Sequence, residues 1–147
     1  MNNKEEGDCM RRIALSGVLF AAGLACMLVG LALGQQQKTS PADSKGFQTE
    51  LLATLDLADE IHEMAGRQLR MRRITIEPGG QFALHDHRDR PGLFYIQEGA
   101  ITEYPERAEA GEHHAGQTVA VGFRSRHWEE NRGTGPVVVI AVDIVKK

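Results

Sequence analysis

After a polar, charged opening, residues 13–34 carry no charge, and beyond them the chain settles into short stretches in which apolar and polar residues alternate. Leu51–Leu57 reads as a strand. Leu69, Met71, Ile74 and Ile76 recur with Arg70, Arg72 and Arg73 between them, and Glu77-Pro78-Gly79-Gly80 closes that run as a turn. Gln81–His87, Leu93–Gln97, Ala100–Tyr104, Thr118–Phe123 and Arg126–Glu130 follow as further strands. Asn131-Arg132-Gly133-Thr134-Gly135-Pro136 is a turn, and Val137–Val145 is a strand rich in β-branched residues. Many short strands with Gly/Pro turns and no helical periodicity predict an all-β jelly-roll barrel of six to eight strands. Gln35–Gly46 is polar and without apolar period, so residues 35–47 read as a flexible linker and 48–147 as the single domain.

The uncharged segment has its own chemistry. Arg11-Arg12 place positive charge before it, and Ala32-Leu33-Gly34 put small residues where a signal peptidase reads. As a helix the segment would span about 33 Å, which also suffices for a membrane span. Residues 1–34 are therefore expected to be an export signal or a membrane anchor helix, with the domain in the periplasm or elsewhere in the cell envelope. Both cysteines, Cys9 and Cys26, fall in this segment, so the domain has neither disulfides nor thiolate ligands. A net charge of −3 and the lack of a basic patch exclude nucleic acid as an expected partner. No nucleophile elbow, phosphate loop or nucleotide fingerprint is present.

What remains is histidine. His85 and His87 lie two apart in a strand pattern, so their imidazoles share one face, and His127 sits on another predicted strand. The first pair is framed as Gly79, five residues, His85-Asp86-His87, four residues, Gly92, six residues, Gly99. The second frame is Gly116, five residues, Gly122, one, Arg124, two, His127, three, Asn131. In order and spacing this resembles the two motifs of the cupin superfamily, over residues 68–145. The resemblance implies a cupin-type jelly-roll barrel holding a divalent transition metal (Fe, Mn, Ni, Cu or Zn) through His85, His87 and His127. It departs from the family pattern at Gly92, where cupins carry a glutamate ligand, and at Gly122 and Arg124. Reading Gly92 as a vacant ligand position implies that Gly92→Glu would restore the carboxylate and tighten binding.

Other residues are placed by alternation. Asp86 faces away from its neighbouring histidines. Phe94 and Ile96 share the face of Gly92 and would wall a pocket, leaving Tyr95 outside. Glu129 shares the face of His127 and is the better carboxylate partner for a histidine than Glu130; Trp128 turns to the other face or to a subunit contact. Arg88-Asp89-Arg90 reads as an anion clamp or a solvated loop. His113 and His114 read as surface histidines of an inter-motif loop, and His62 as exposed. Asn131 is expected to satisfy backbone groups of the following turn. The apolar strand Val137–Val145 is expected to need cover, predicting a homodimer. Three functions compete: an exported metal-binding cupin acting on or sensing a small molecule, a three-His non-haem iron dioxygenase-like enzyme, and a metal-free structural or ligand-binding cupin.

Overall fold

The alternating stretches become eight strands in the computed structural model, which describes residues 38–147. The expected signal or anchor over residues 1–34 lies outside the described residues. The strands are β1 (Lys45–Asp56), β2 (Arg67–Asp86), β3 (Gly92–Glu98), β4 (Ala100–Pro105), β5 (Gly111–His114), β6 (Thr118–Val121), β7 (Arg126–Glu130) and β8 (Val137–Lys146). Every pairing is antiparallel. The order is β5-β4-β7-β2-β8-β3-β6, with β1 added on β2, giving a nearly closed barrel. Among the described residues the only helical turn is a 3-10 segment at His62–Met64.

Three strands differ from the sequence reading. β1 starts at Lys45, inside the stretch read as a tether, because it follows the long β2 along its length. β5 was not expected; its four residues are held by pairing with β4 rather than by any apolar pattern of their own. Glu77-Pro78-Gly79-Gly80 is not a turn between two strands but a bend within β2. Before the bend β2 pairs with β1 and β8; after it β2 pairs with β7, with β1 reaching past the bend only at Lys45, opposite Gln81. Two glycines make this possible. Gly79 has φ 73°, in the left-handed region. A Cβ on Gly80 would lie 2.4 Å from the Gly46 carbonyl oxygen, so only glycine lets β1 approach here.

The inward set on β2 also differs from the apolar pattern. Arg72, Ile74 and Ile76 turn into the barrel, while Met71 is 38% exposed beside β1. Neighbouring apolar residues on β1 give Met71 and Leu69 company on the outer face, so their hydrophobicity marks the β1 contact and not the core. The core is Ile76, Ile96, Ile101, Val137 and Val139, with Ile74, Phe82 and Phe94 against it.

The expectation that Val137–Val145 lies uncovered fails as well. β8 is paired on both edges, by β2 and β3, and buries Val137, Val139, Ala141 and Asp143 on one face. Exposed apolar residues on β1 include Leu51, 60% exposed, and Leu55, 47% exposed. Trp128 is buried and stacks on Tyr104 of the facing strand, centroids 3.9 Å apart and planes 4° from parallel.

Asn131 closes the corner opposite the β2 bend. Its backbone N–H donates to Gly80 O at 2.9 Å and its carbonyl accepts from Gly79 N–H at 3.0 Å. Its side-chain amide donates to the Ile76 and Gly135 carbonyls at 2.9 and 2.8 Å, and its Oδ1 accepts from Gly133 N–H at 2.9 Å. The side chain thus satisfies backbone groups of the turn, as expected, and also ties that turn to β2. Asn131→Ala removes three hydrogen bonds at a residue 1% exposed. Urea unfolding is expected to show a loss of about 3 kcal/mol, with a loss below about 1 kcal/mol contradicting the clamp.

Candidate metal centre

Register brings the histidines together. In the β2–β7 ladder His85 is the direct partner of His127, and His87 follows two residues beyond His85 on the same face. One ring nitrogen from each of the three lies within 4.8 Å of the others. His87 and His127 are buried, and His85 is partly so. The site opens onto a cavity of about 340 Å³ inside the barrel.

Each imidazole is oriented through Nδ1. His85 Nδ1–H donates to the Ala83 carbonyl at 3.0 Å, and His87 Nδ1–H to the Arg90 carbonyl at 3.3 Å. His127 Nδ1–H donates to Glu103 Oε1. Carbonyls and an ionised carboxylate only accept, so the Nδ1 protons are committed and Nε2 is the lone-pair nitrogen on each ring. His87 Nε2 and His127 Nε2 stand 2.9 Å apart. Two lone pairs at that distance repel unless a proton or a cation lies between them. Two nitrogens each about 2.0–2.1 Å from one ion would have about this separation at a right angle. The donor set therefore fits a divalent transition metal.

Charge reinforces the orientation. Burial pushes His85 and His87 down to about 4, with the Arg90 charge adding to it at His87, so both are neutral at ordinary pH. Burial also disfavours the His127 imidazolium, but the Glu103 hydrogen bond and the Glu129 and Glu103 charges outweigh it and raise its pKa. Glu103 is held below the usual carboxylate range, first by the His127 hydrogen bond and then, against burial, by His113. Burial drives the Glu129 carboxyl up to about 7.

Several residues are not where alternation alone would put them. His113 is not a surface histidine: it turns into the cavity and its Nε2 is 2.7 Å from Glu103 Oε2, so Glu103 bridges His113 and His127. His114 is exposed, as expected, and so is His62. The anion-clamp reading of Arg88-Asp89-Arg90 divides. Arg90 reaches the cavity wall, while Asp89 pairs outside with Lys146 at 3.1 Å and Arg88 is exposed. Phe94 and Ile96 line the cavity and Tyr95 faces out, as alternation predicts. Phe94 stands edge-on to His87, centroids 5.6 Å apart.

Gly92 is not a vacant ligand position. A Cβ there would lie 2.7 Å from the Val142 carbonyl oxygen and 3.0 Å from Asp143 Cβ, so the β8 backbone fills the space a side chain needs. Gly92→Glu therefore does not restore a ligand, contrary to expectation; that change displaces β8.

Glu103 and Arg72 are cavity-lining residues that the sequence pattern did not single out. Glu103 had a signal: it shares the face of buried Ile101, two residues away on β4. Arg72 lies between the apolar residues of β2 and turns into the barrel. Arg72 Nη2 is 2.8 Å from Asp143 Oδ2, and Arg70 holds both Asp143 oxygens at 3.0 and 2.8 Å. Arg72 Nε is buried without a hydrogen-bond partner at the cavity wall. The two arginines are unequal: the hydrogen bond to Asp143 raises Arg70, whereas the burial of Arg72 outweighs its attraction to Asp143 and lowers it.

No protein-family model matches the chain, and no curated protein matches it. Solved structures do. The cupin domain of Cnp3 from Schizosaccharomyces pombe superposes with a TM-score of 0.56 at 10% identity, covering 74% of this chain and 68% of that one. KdgF from Halomonas sp. gives 0.53 at 14% identity, covering 74% and 88%. A protein described as a predicted oxalate decarboxylase from Thermotoga maritima gives 0.52 at 22% identity, covering 73% and 90%. At these identities what is shared is the fold, a cupin-like barrel.

Burial alone would raise the Asp143 carboxyl, but the Arg70 hydrogen bonds and the Arg72 and Arg70 charges prevail and hold it below its ordinary value. The unfolded chain then takes up this proton first as pH falls, near 3.9. The stability this carboxylate contributes is present above that pH and is lost below it, as pH drops through the folded value. Thermal melts across pH 2–6 are expected to fall more steeply below about pH 4 in the wild type than in Asp143→Asn. Parallel acid limbs would show that the ion pair does not couple folding to protonation.

Proposed function

We propose that the chain is a cupin-fold protein that holds one divalent transition metal through His85, His87 and His127 and presents it to a small organic molecule in the barrel cavity. The observation that carries this reading is the commitment of all three Nδ1 protons to oxygen acceptors, with His87 and His127 Nε2 2.9 Å apart. A bound ion would act there as a Lewis acid with positions left for a ligand. The chain's own residues supply the rest. Glu103 fixes the His127 ring, the Arg90 carbonyl fixes His87, and Phe94, Ile96 and Val119 form an apolar wall that limits water. Arg72 and Arg90 put two guanidinium groups on the same cavity.

The reading includes export of the domain, supported by Arg11-Arg12 and the uncharged residues 13–34. Full-length protein in the soluble cytoplasmic fraction would refute that. It also includes a homodimer, now through the outer edge of β1, where Leu51 and Leu55 are exposed beside backbone groups that no described strand pairs. A monomeric mass by light scattering at micromolar concentration would refute the dimer.

Protein purified without an affinity tag is expected to bind about one transition metal per chain, with His85→Ala, His87→Ala and His127→Ala each lowering affinity about a hundredfold or more. Elemental analysis and calorimetry read this directly. Wild-type protein that stays metal-free under excess Mn(II), Fe(II), Ni(II), Cu(II) and Zn(II) would leave the cavity as a metal-free ligand site.

A further inference from the structure

The barrel holds one partly buried acid that no structural role explains. Glu129 follows His127 by two residues on β7, so its side chain enters the cavity on the same face. Its Oε1 lies 3.4 Å from His127 Nε2, and its Oε2 lies 3.9 Å from His85 Nδ1. Its Oε2 is buried and accepts no hydrogen bond from any described residue. The other acids near the site are all engaged. Glu103 bridges His127 and His113, Asp143 is held by Arg70 and Arg72, and Glu130 accepts from Tyr104 Oη at 2.8 Å. A carboxylate removed from water without donors carries a penalty of several kcal/mol. Arg90, also on the cavity wall, directs its Nε–H elsewhere, to the Asp86 carbonyl at 3.3 Å.

We infer that Glu129 is a fourth metal ligand, supplying from the second motif the carboxylate that Gly92 cannot supply from the first. This rests on the three-histidine reading above. Two distances at His127 Nε2 suit it. Ligand atoms about 2.1 Å from a common ion are separated by about 3.0 Å in an octahedron and about 3.4 Å in a tetrahedron. The 2.9 Å between His87 and His127 Nε2 is close to the octahedral edge and the 3.4 Å from His127 Nε2 to Glu129 Oε1 to the tetrahedral one, so both fall within the range of ligand–ligand edges and meet at His127 Nε2. Charge suits it too. Three neutral imidazoles leave a dication uncompensated in a buried site, and one carboxylate removes half of that charge. A carboxylate also shifts preference toward harder ions such as Mn(II), relative to imidazole alone.

The full chain, purified untagged and stripped of metal, is titrated with Mn(II) and with Zn(II) by calorimetry, and metal-induced infrared difference spectra are recorded. Wild type is expected to bind both ions and to show a carboxylate stretching pair that shifts on metal addition. Glu129→Gln, which keeps the shape and removes the charge, is expected to lose that pair and about a hundredfold or more in Mn(II) affinity, with a smaller loss for Zn(II). Glu129→Ala is expected to recover Mn(II) binding when formate is added, since formate fits the gap and brings back the oxygen donor. The wild-type infrared shift stands even if a variant folds poorly. Wild type that binds metal with no carboxylate shift, or Glu129→Gln within threefold of wild type, overturns the fourth ligand and leaves the three histidines intact. Wild type that binds neither ion overturns both.

Discussion

The pairing of β2 with β7 places His85 directly opposite His127, and the site depends on that register. A slip by one residue would send His85, His87 and every other inward residue of that half of β2 to the outer face. Two features prevent it. The bend at Gly79-Gly80 delivers β2 from its β8 partner to its β7 partner at a set point, and Asn131 ties that bend to the turn before β8. The histidines are therefore aimed by backbone hydrogen bonds some distance away, at a corner that carries no metal chemistry of its own.

Two kinds of residue share the interior. Ile76, Ile96, Ile101, Val137 and Val139 form an apolar cluster, and all but Val137 also line the cavity. Charge is buried beside them: Glu103 between two histidines, Asp143 between two arginines, and Glu129 beside His127. Buried charges of this kind rarely add stability over apolar residues of the same size. Glu103, Glu129 and Arg72 line one cavity together with the histidines.

Perturbed groups mark the same place. Burial pushes His85 and His87 down to about 4 and Glu129 up to about 7, and all three line one cavity with His127. The imidazoles are kept as neutral donors while the carboxyl bears the strain of desolvation. A cation at their centre would relieve both conditions, because it favours lone pairs on nitrogen and negative charge on oxygen.

The sequence by itself determined the strand class, the two-motif frame, the inward set on β3 and the shared face of His127 and Glu129, because each depends on local alternation with a period of two. It also marked Asn131 as a turn residue. The rest was decided in three dimensions. Whether Met71 or Arg72 faced the core depended on β1 covering the outer face of β2, a contact made by residues about twenty positions away. That Gly92 could hold no side chain depended on the β8 carbonyl beside it. That His113 joined the site depended on β5 pairing with β4, which brought it to Glu103 and so to His127. Local pattern records which way a residue points along its own strand; what it meets there is set by strands paired from elsewhere in the chain, and no local period encodes that.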